Sequence, residues 1–249
     1  MPKLKIELPK KYTDFLWRKG GENPEHKKYI GKYCVSWSQI ETFNSKSGFN
    51  TGLLGKFEYM RKYFLGEKYP DLGWATFGTE VEDYVTEKKG KENFTKEELE
   101  TLDKVKPLGV YQEEILIYLE DLDVVVLGYL DDSTPPIDKT VLLLRDYKTK
   151  SESSKKDLHK PEKHQIEIYI WGLKQKGLIV KEAEYCIIER LGGYQCMQGG
   201  GREALTVGKK IWYEPYSWDE KRLKETEKLV KNTIKEISSL YKTYLKIFK

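Results

Sequence analysis

Three consecutive strand-like segments in the middle of the chain limit the folds that it can adopt. All three are rich in β-branched and aromatic residues. They are VYQEEILIYL at 110–119, LDVVVLGYLD at 122–131 and KTVLLLRDYK at 139–148. The connections between them are short, and Pro135-Pro136 forces a turn before the third segment. This arrangement favours an antiparallel meander, because parallel strands need a long crossover connection.

Helical patterns lie on both sides of these strands. They cover 36–43, about 54–65, 73–88 (with a start near Thr76 or Gly78), 96–104, 161–177 and 219–247. Further strands are predicted at 182–190 and 209–218, with a glycine-rich loop at 192–202 between them. This order predicts one mixed α/β or α+β domain over residues 1–249, in which helices flank a central sheet. A polar extension at about 1–33 precedes the first of these helices, and the helix at about 219–247 is long and charged.

The composition restricts the class of protein. Hydrophobic residues make up 39% of the 249 residues, which is enough for a sizeable core, and the net charge of +4 permits a nucleic-acid partner without requiring one. Cys34, Cys186 and Cys196 form no C-x-x-C pair, so neither a zinc site nor a disulfide framework is predicted. We find no apolar run of membrane-spanning length and no signal-peptide core, and we expect a soluble, cytoplasmic protein.

An acid and an amine follow the apolar run LLLR in the third strand. Asp146 and Lys148 are two residues apart, so their side chains project from the same face of the strand. Asp131 ends the preceding strand, and pairing of the two strands would bring Asp131 and Asp146 together at one edge. Two neighbouring carboxylates repel each other unless a cation lies between them, and Mg²⁺ or Mn²⁺ prefers such oxygen ligands. The chemistry that fits is metal-assisted phosphodiester hydrolysis, and the alternative is an ordinary ion pair at a strand end.

Four short motifs resemble those of a known family. GTEVE at 78–82, GYLD at 128–131, RDYKTK at 145–150 and QIEIY at 165–169 occur in that order, after SWSQIETF at 36–43. Together they resemble the PD-(D/E)xK nuclease superfamily, in particular its RecB-like, Cas4-like and phage-exonuclease branch. The resemblance covers about residues 34–172. It implies a restriction-endonuclease-like core with a central mixed sheet.

The resemblance also implies a role for each matching residue. Asp131 and Asp146 would be the principal ligands of two Mg²⁺ or Mn²⁺ ions, and Glu82 would approach from its helix. The backbone carbonyl of Tyr147 would be a further ligand, and Lys148 would position the attacking water. The expected substrate-binding residues are Gln165, Tyr169, Lys150, Ser36 and Ser38.

The sequence departs from parts of the branch. Glu82 stands where Cas4-like relatives often carry His, which favours the phage type. Glu80 is its neighbour, but it points about 200° away around the helix, so we choose Glu82 as the ligand. An iron–sulfur cluster generally needs four cysteine thiolates, and the chain has three cysteines, so no cluster is expected.

These features predict a metal-dependent DNA nuclease. The expected activity is that of an exonuclease on DNA ends in recombination, repair or phage DNA processing, in the cytoplasm or, for a viral protein, in the host cytoplasm. DNA would be bound through its backbone with little sequence specificity, and a homo-oligomer or a recombination partner protein is compatible with the sequence. The alternatives are an endonuclease of the same superfamily and a non-catalytic nucleic-acid-binding module that retains the fold.

Overall fold

The computed structural model of the protein describes residues 5–9, 24–46, 55–68, 73–160 and 163–248. The chain divides into two compact units. The first comprises Met1–Tyr69, Glu114–Gly128 and Asp219–Lys249, and the second comprises Pro70–Glu113 and Tyr129–Trp218. The interpretation of residues 1–249 as a single domain stays a prediction. Much of the predicted extension at 1–33 lies outside the described residues.

Helices account for much of the described chain. They are α1 (Pro24–Lys27), α2 (Trp37–Asn44), α3 (Gly55–Tyr63), α4 (Trp74–Glu87), α5 (Lys96–Leu102), α6 (Gln165–Gln175) and α7 (Glu220–Phe248). Shorter helical turns lie at Lys91–Asn93, Glu152–His159 and between residues 193 and 204. No helix in the described ranges is long and apolar enough to cross a membrane.

Six strands form a mixed sheet, which the helices flank. They are β1 (Tyr33–Ser36), β2 (Val110–Leu119), β3 (Val124–Ser133), β4 (Thr140–Lys150), β5 (Ile179–Leu191) and β6 (Thr206–Tyr216). Their order is β1-β3-β4-β5-β6, and β2 also pairs with β3. The β1–β3 and β4–β5 pairs are parallel, whereas β3–β4 and β5–β6 are antiparallel. The predicted mixed α/β fold with a central sheet is therefore confirmed. The antiparallel β3–β4 pairing that the meander required is present, and β2 pairs with β3.

Local signals set the start of α2 in the first unit. Ser36 Oγ accepts a hydrogen bond from the backbone N–H of Gln39 at 3.3 Å, and Gln39 Oε1 accepts one from the N–H of Ser36 at 2.9 Å. This reciprocal capping box satisfies two backbone donors at the helix end. At the other end, Asn44 Nδ2 donates to Thr233 Oγ1 of α7 at 2.8 Å. The helix predicted at 36–43 is confirmed, and it spans Trp37–Asn44.

Helix α4 packs its apolar stripe against the sheet of the second unit. Phe77, Val81 and Val85 recur every four residues, and all three are buried in one cluster with Tyr147 of β4. Residues at this spacing share one face of a helix. Glu82 directly follows Val81, so burial of the stripe fixes the direction in which Glu82 leaves the helix.

Several element boundaries differ from the predicted ones. Helix α4 begins at Trp74 rather than near Thr76 or Gly78, after Gly73, which has a left-handed φ of 84°. A Cβ at Gly73 would lie 2.3 Å from the backbone nitrogen of Arg202, so this close approach requires glycine.

Tertiary contacts explain the other differences. Strand β5 extends beyond the predicted 182–190 because it is paired on both sides, from Ile179 with Thr140 to Leu191 with Thr206. The predicted loop at 192–202 contains short helical turns. Helix α6 begins at Gln165 rather than at 161, and residues 161–162 lie outside the described part of the chain.

Glu98 connects α5 to β6, and its removal should destabilise the second unit. Its Oε2 accepts from the N–H of Thr95 in a capping box, and its Oε1 accepts from the buried N–H of Val207 at 2.8 Å. Because Glu98→Ala leaves both donors without these acceptors, we expect the free energy of unfolding to fall by about 2–4 kcal/mol. Urea denaturation of the variant and the wild-type protein measures the change.

Glu97→Ala provides the matched control, since Glu97 is exposed in the same helical turn. Its effect should stay within about 0.5 kcal/mol. Equal stabilities of the two variants would contradict the role given to Glu98.

Candidate functional site

The two predicted aspartates meet where β3 and β4 stop pairing. The antiparallel register runs through Ser133 with Leu144 and Asp132 with Arg145. One step further, the side chain of Asp131 replaces the backbone as partner, because its Oδ2 accepts the N–H of Tyr147 at 2.9 Å. The carboxylate of Asp131 is thereby held against β4 beside Asp146.

Asp146 carries a buried charge with few partners. The residue is 0% exposed, and neither carboxylate oxygen accepts a hydrogen bond from the described residues. Oδ2 nevertheless lies 2.5 Å from Lys148 Nζ. We treat this contact as an ion pair, since the distance is short although the angles do not suit a hydrogen bond. Its charge is therefore compensated mainly by one lysine.

Lys148 lies at the centre of the predicted ligands. Besides its ion pair with Asp146, its Nζ donates a hydrogen bond to the backbone carbonyl of Tyr147 at 3.1 Å. Burial disfavours the charged form of Lys148, but attraction to Asp146 and Asp131 outweighs burial, and the pKa of Lys148 is raised. The ammonium group is thus the local cation of this edge.

Glu82 faces the same edge from α4. Its Oε1 accepts a hydrogen bond from Gln112 Nε2. Burial raises the pKa of Glu82, attraction to Lys148 lowers it, and repulsion from Asp146 raises it further. Glu80 is directed elsewhere, since its Oε2 lies 2.5 Å from Arg202 Nε. The structure therefore brings Glu82, and not Glu80, near the two aspartates.

Crowding of acids shows in the pKa of Asp131. Burial, followed by repulsion from Asp146, holds it well above its usual range, while attraction to Lys148 opposes the shift. Three carboxyl groups, those of Glu82, Asp131 and Asp146, thus interact with one ammonium group. When all of these groups are ionised, three negative charges face one positive charge, so the cluster has an excess of negative charge.

Helix α6 brings two further predicted residues to the cluster. Gln165 Nε2 donates to the hydroxyl oxygen of Tyr169 at 2.6 Å, one helical turn apart. Tyr169 is only 2% exposed. Burial, followed by the charges of Asp131 and Asp146, raises its pKa well above the usual value. Its hydroxyl group is therefore close enough to the carboxylates to sense their charge.

The remaining predicted residues differ in position. Lys150 is half-buried in the second unit, and burial, followed by repulsion from Arg190 and Lys163, lowers its pKa. Ser36 and Ser38 belong to the first unit, where their hydroxyl oxygens lie 2.9 Å apart and Ser36 caps α2.

A buried polar network that sequence reasoning missed supports this part of β4. Asp132 is fully buried and accepts hydrogen bonds from the N–H groups of Leu108 and Gly109 and from the hydroxyl of Tyr147 at 2.7 Å. Next to it, Arg145 Nε donates to Glu184 Oε1 at 2.7 Å. The residues of β4 on either side of Asp146 are therefore anchored through their side chains.

Gln112 was also missed by sequence reasoning. It lies in β2 with a left-handed φ of 48°, which is uncommon for a residue other than glycine. An exposed glutamine in a strand gives no sequence signal for contact with Glu82. Asp132, in contrast, directly follows Asp131 in the sequence, but only Asp131 was predicted as a site residue.

The donor atoms suit a hard divalent cation, although no metal site is preformed. In the ranges that the structure describes, no three His, Cys, Asp or Glu side chains are gathered so as to hold a metal ion. The carboxylate oxygens of Asp146, which accept no hydrogen bond from the described residues, and the Tyr147 carbonyl oxygen are nonetheless of the type that Mg²⁺ prefers. The three cysteines are buried and none is in a disulfide, and burial raises the pKa of Cys186 to about 12.

Comparison with known proteins adds little to this description. No family model matches the chain, and no curated protein matches it. The chain is similar to a solved structure of a candidate exonuclease from Eubacterium rectale, with 12% sequence identity and a TM-score of 0.48. The match covers 88% of this chain and 84% of that one. The description of the site rests on the contacts given above.

Removal of the Lys148 ammonium should show how much its ion pair with Asp146 contributes to the free energy of unfolding. In metal-free buffer with EDTA, Lys148→Met leaves a buried carboxylate without its cation, so we expect the free energy of unfolding to fall by about 3 kcal/mol. Adding Asp146→Asn should recover most of that loss, because the unpaired charge is gone. Urea denaturation of the two single variants, the double variant and the wild-type protein measures the coupling.

Lys160→Met is the matched control. Lys160 Nζ lies 2.9 Å from Asp157 Oδ1, but both side chains are exposed, so the loss should be below about 0.5 kcal/mol. If Lys148→Met destabilised the protein no more than this control, the buried ion pair would not have the importance given to it.

Proposed function

We propose that the protein is a metal-dependent nuclease that hydrolyses phosphodiester bonds of DNA, with Asp131, Asp146, Lys148 and Glu82 as its catalytic residues. The observation that supports this most directly is the buried carboxylate of Asp146, whose oxygens accept no hydrogen bond from the described residues. Three acidic groups interact there with one ammonium group. A bound cation would remove this imbalance.

Mg²⁺ or Mn²⁺ fits because each candidate ligand is an oxygen. The ligands would be the carboxylates of Glu82, Asp131 and Asp146 and the backbone carbonyl of Tyr147. The resemblance to the nuclease superfamily leads us to expect two ions. Such ions supply polarisation of a phosphoryl group and stabilisation of the negative charge that develops on it.

Lys148 would change partners when a cation is present. Its ammonium contacts Asp146 Oδ2 and the Tyr147 carbonyl oxygen, which are two of the proposed ligand atoms. With these oxygens holding a divalent cation, Lys148 would turn to another acceptor. We infer that this acceptor is the attacking water or a phosphate oxygen, to which an ammonium group donates strong hydrogen bonds.

The substrate strand would lie along the same edge. The hydrogen-bonded pair of Gln165 and Tyr169 would brace it near the carboxylates. Lys150 would contact a backbone phosphate, since no carboxylate of the described chain forms an ion pair with it. Lys155 and Lys160, which follow in the sequence, are already paired with Glu214 and Asp157. Backbone contacts of this kind give affinity with little sequence specificity.

An exonuclease on DNA ends is the activity that we favour. The resemblance of Glu82, Gln165 and Tyr169 to the phage-type pattern supports it, and roles in recombination, repair or phage DNA processing belong to the same proposal. An endonuclease of the same superfamily is the second candidate. A non-catalytic nucleic-acid-binding module would not require Lys148 and three acids to converge.

Substitution of the proposed ligands should affect metal binding as well as cleavage. Asp146→Ala should lower the rate of DNA cleavage on the order of 10³-fold, because a charged ligand and the partner of Lys148 are lost together. Glu82→Gln should raise the Mg²⁺ concentration required for half-maximal activity. Calorimetric titration with Mn²⁺, performed beside the activity assays, should show weaker binding in both variants.

Glu80→Gln is the matched control on the same helix. Because Glu80 pairs with Arg202, this variant should keep the metal requirement of the wild-type protein. A defect in Glu80→Gln with a normal Glu82→Gln variant would show that the other helix face binds metal. Near-normal cleavage by a folded Asp146→Ala variant would exclude the site.

The form of the DNA should distinguish the two kinds of nuclease. With Mg²⁺ or Mn²⁺, end-labelled linear DNA should be degraded progressively from an end, whereas a covalently closed circle of the same sequence should survive. Cleavage should weaken as salt increases, since phosphate contacts release counterions. Gel analysis of both substrates, with EDTA controls, measures this.

A nicked circle, in which one strand has a break, is a substrate intermediate between linear DNA and the closed circle. Cleavage of closed circles as fast as linear DNA would contradict the exonuclease and favour the endonuclease.

A further inference from the structure

Arg190 has a half-buried guanidinium group that forms no ion pair with a carboxylate of the described residues. Its buried Nε–H donates to no hydrogen-bond acceptor in the same ranges. Burial lowers the pKa of Arg190. A cation that is partly removed from water without a counter-charge is unfavourable, and such cations are usually paired. Arg190 therefore has the character of a site for an anion.

An aromatic ring orients this guanidinium group. The guanidinium carbon of Arg190 lies 4.8 Å from the ring centroid of Trp74, at the start of α4. Stacking on a ring is favourable for Arg, but it leaves the N–H donors unused. The indole Nε1 of Trp74 is also buried and lacks a hydrogen-bond partner in the described ranges. A planar fork of this kind matches the oxygens of a phosphate group.

A second cation lies beside Arg190. Lys150 is in register with Glu189, the residue that precedes Arg190 in β5. Repulsion from Arg190 is the largest cause, after burial, of the lowered pKa of Lys150. The Lys150 ammonium therefore senses the positive charge of Arg190.

The nearest acid in the sequence does not neutralise these cations. Glu189 Oε2 instead accepts hydrogen bonds from the backbone N–H groups of Lys209, at 2.9 Å, and Lys210, at 3.2 Å. A kink in the pairing of β5 with β6 lies at this point. The fold therefore turns the carboxylate toward β6, so that Glu189 does not pair with Arg190 or Lys150.

We propose that Arg190, Lys150 and Trp74 form an anion site that binds a phosphate group of the nucleic-acid strand. This rests on the proposed function, because Lys150 lies two residues beyond Lys148 on the same strand, a rise of about 6.6 Å. A strand held at the carboxylates would present a neighbouring phosphate to the site. That phosphate is either an internal phosphodiester or a terminal phosphomonoester, which carries more negative charge.

Binding of short single-stranded oligonucleotides tests the site without cleavage. Fluorescence anisotropy in EDTA would compare three oligonucleotides of one sequence, bearing a 5′-phosphate, a 3′-phosphate or no terminal phosphate. Arg190→Gln should weaken binding about tenfold and lower the salt dependence by about one counterion. An equal loss for all three identifies an internal phosphodiester, and a loss confined to one phosphorylated form identifies a terminal group.

Two further variants make the result specific. Arg61→Gln removes the same charge from a residue that is paired with Glu67 in the first unit, and should bind like the wild-type protein. Arg190→Lys keeps the charge without the planar fork and should give an intermediate loss. This variant also tests the site if Arg190→Gln fails to fold.

Failure of this site and failure of the nuclease proposal give different results. Cleavage by the wild-type protein together with unchanged oligonucleotide binding by Arg190→Gln would overturn the anion site alone. Conversely, Arg190-dependent binding without cleavage at any metal concentration would support the anion site and overturn the nuclease. A rise in melting temperature with inorganic phosphate, smaller in Arg190→Gln than in Arg61→Gln, would support the site independently of DNA.

Discussion

The contact between the Asp146 carboxylate and the Lys148 ammonium is the interaction on which the proposed site depends. A carboxylate that is fully buried needs a partner, and Lys148 is the cation that approaches it at 2.5 Å. The same ammonium bonds the Tyr147 carbonyl and moderates the repulsion among Asp131, Asp146 and Glu82. One lysine therefore keeps an unfavourable group of acids together.

The rest of β4 is built to tolerate this arrangement. The two residues that flank Asp146 in β4 have partners of their own. Arg145 is paired with Glu184, and the Tyr147 hydroxyl donates a hydrogen bond to Asp132. These partners satisfy their own polar groups and fix the strand in position. The acids at the edge can remain poorly satisfied because their neighbours are fully bonded. An unfavourable cluster inside a well-bonded frame is typical of functional sites.

The sequence was informative where a local pattern decides the structure. The helical pattern at 36–43 predicted α2, and the angle of about 200° around a helix separated Glu82 from Glu80. The alternation along β4 likewise placed Asp146 and Lys148 on one face. The hydrogen bonds of Gln112 and Asp132 could not be predicted, because their partners lie about 15 to 30 positions away and leave no local pattern. Arg190 was missed for a related reason, since only the fold reveals that no described carboxylate pairs with it.

Glu98 accepts two hydrogen bonds: one caps its own short helix, and the other links that helix to a strand residue 109 positions away. A helix of one or two turns is marginal in isolation, because nucleation is unfavourable. Helix α5 gains its second anchor only when β6 has reached the sheet, so its formation and the docking of β6 belong to one cooperative step. The hydrogen bonds of α5 and of the Val207 amide would then open together, so their amide protons would exchange with solvent as one cooperative unit.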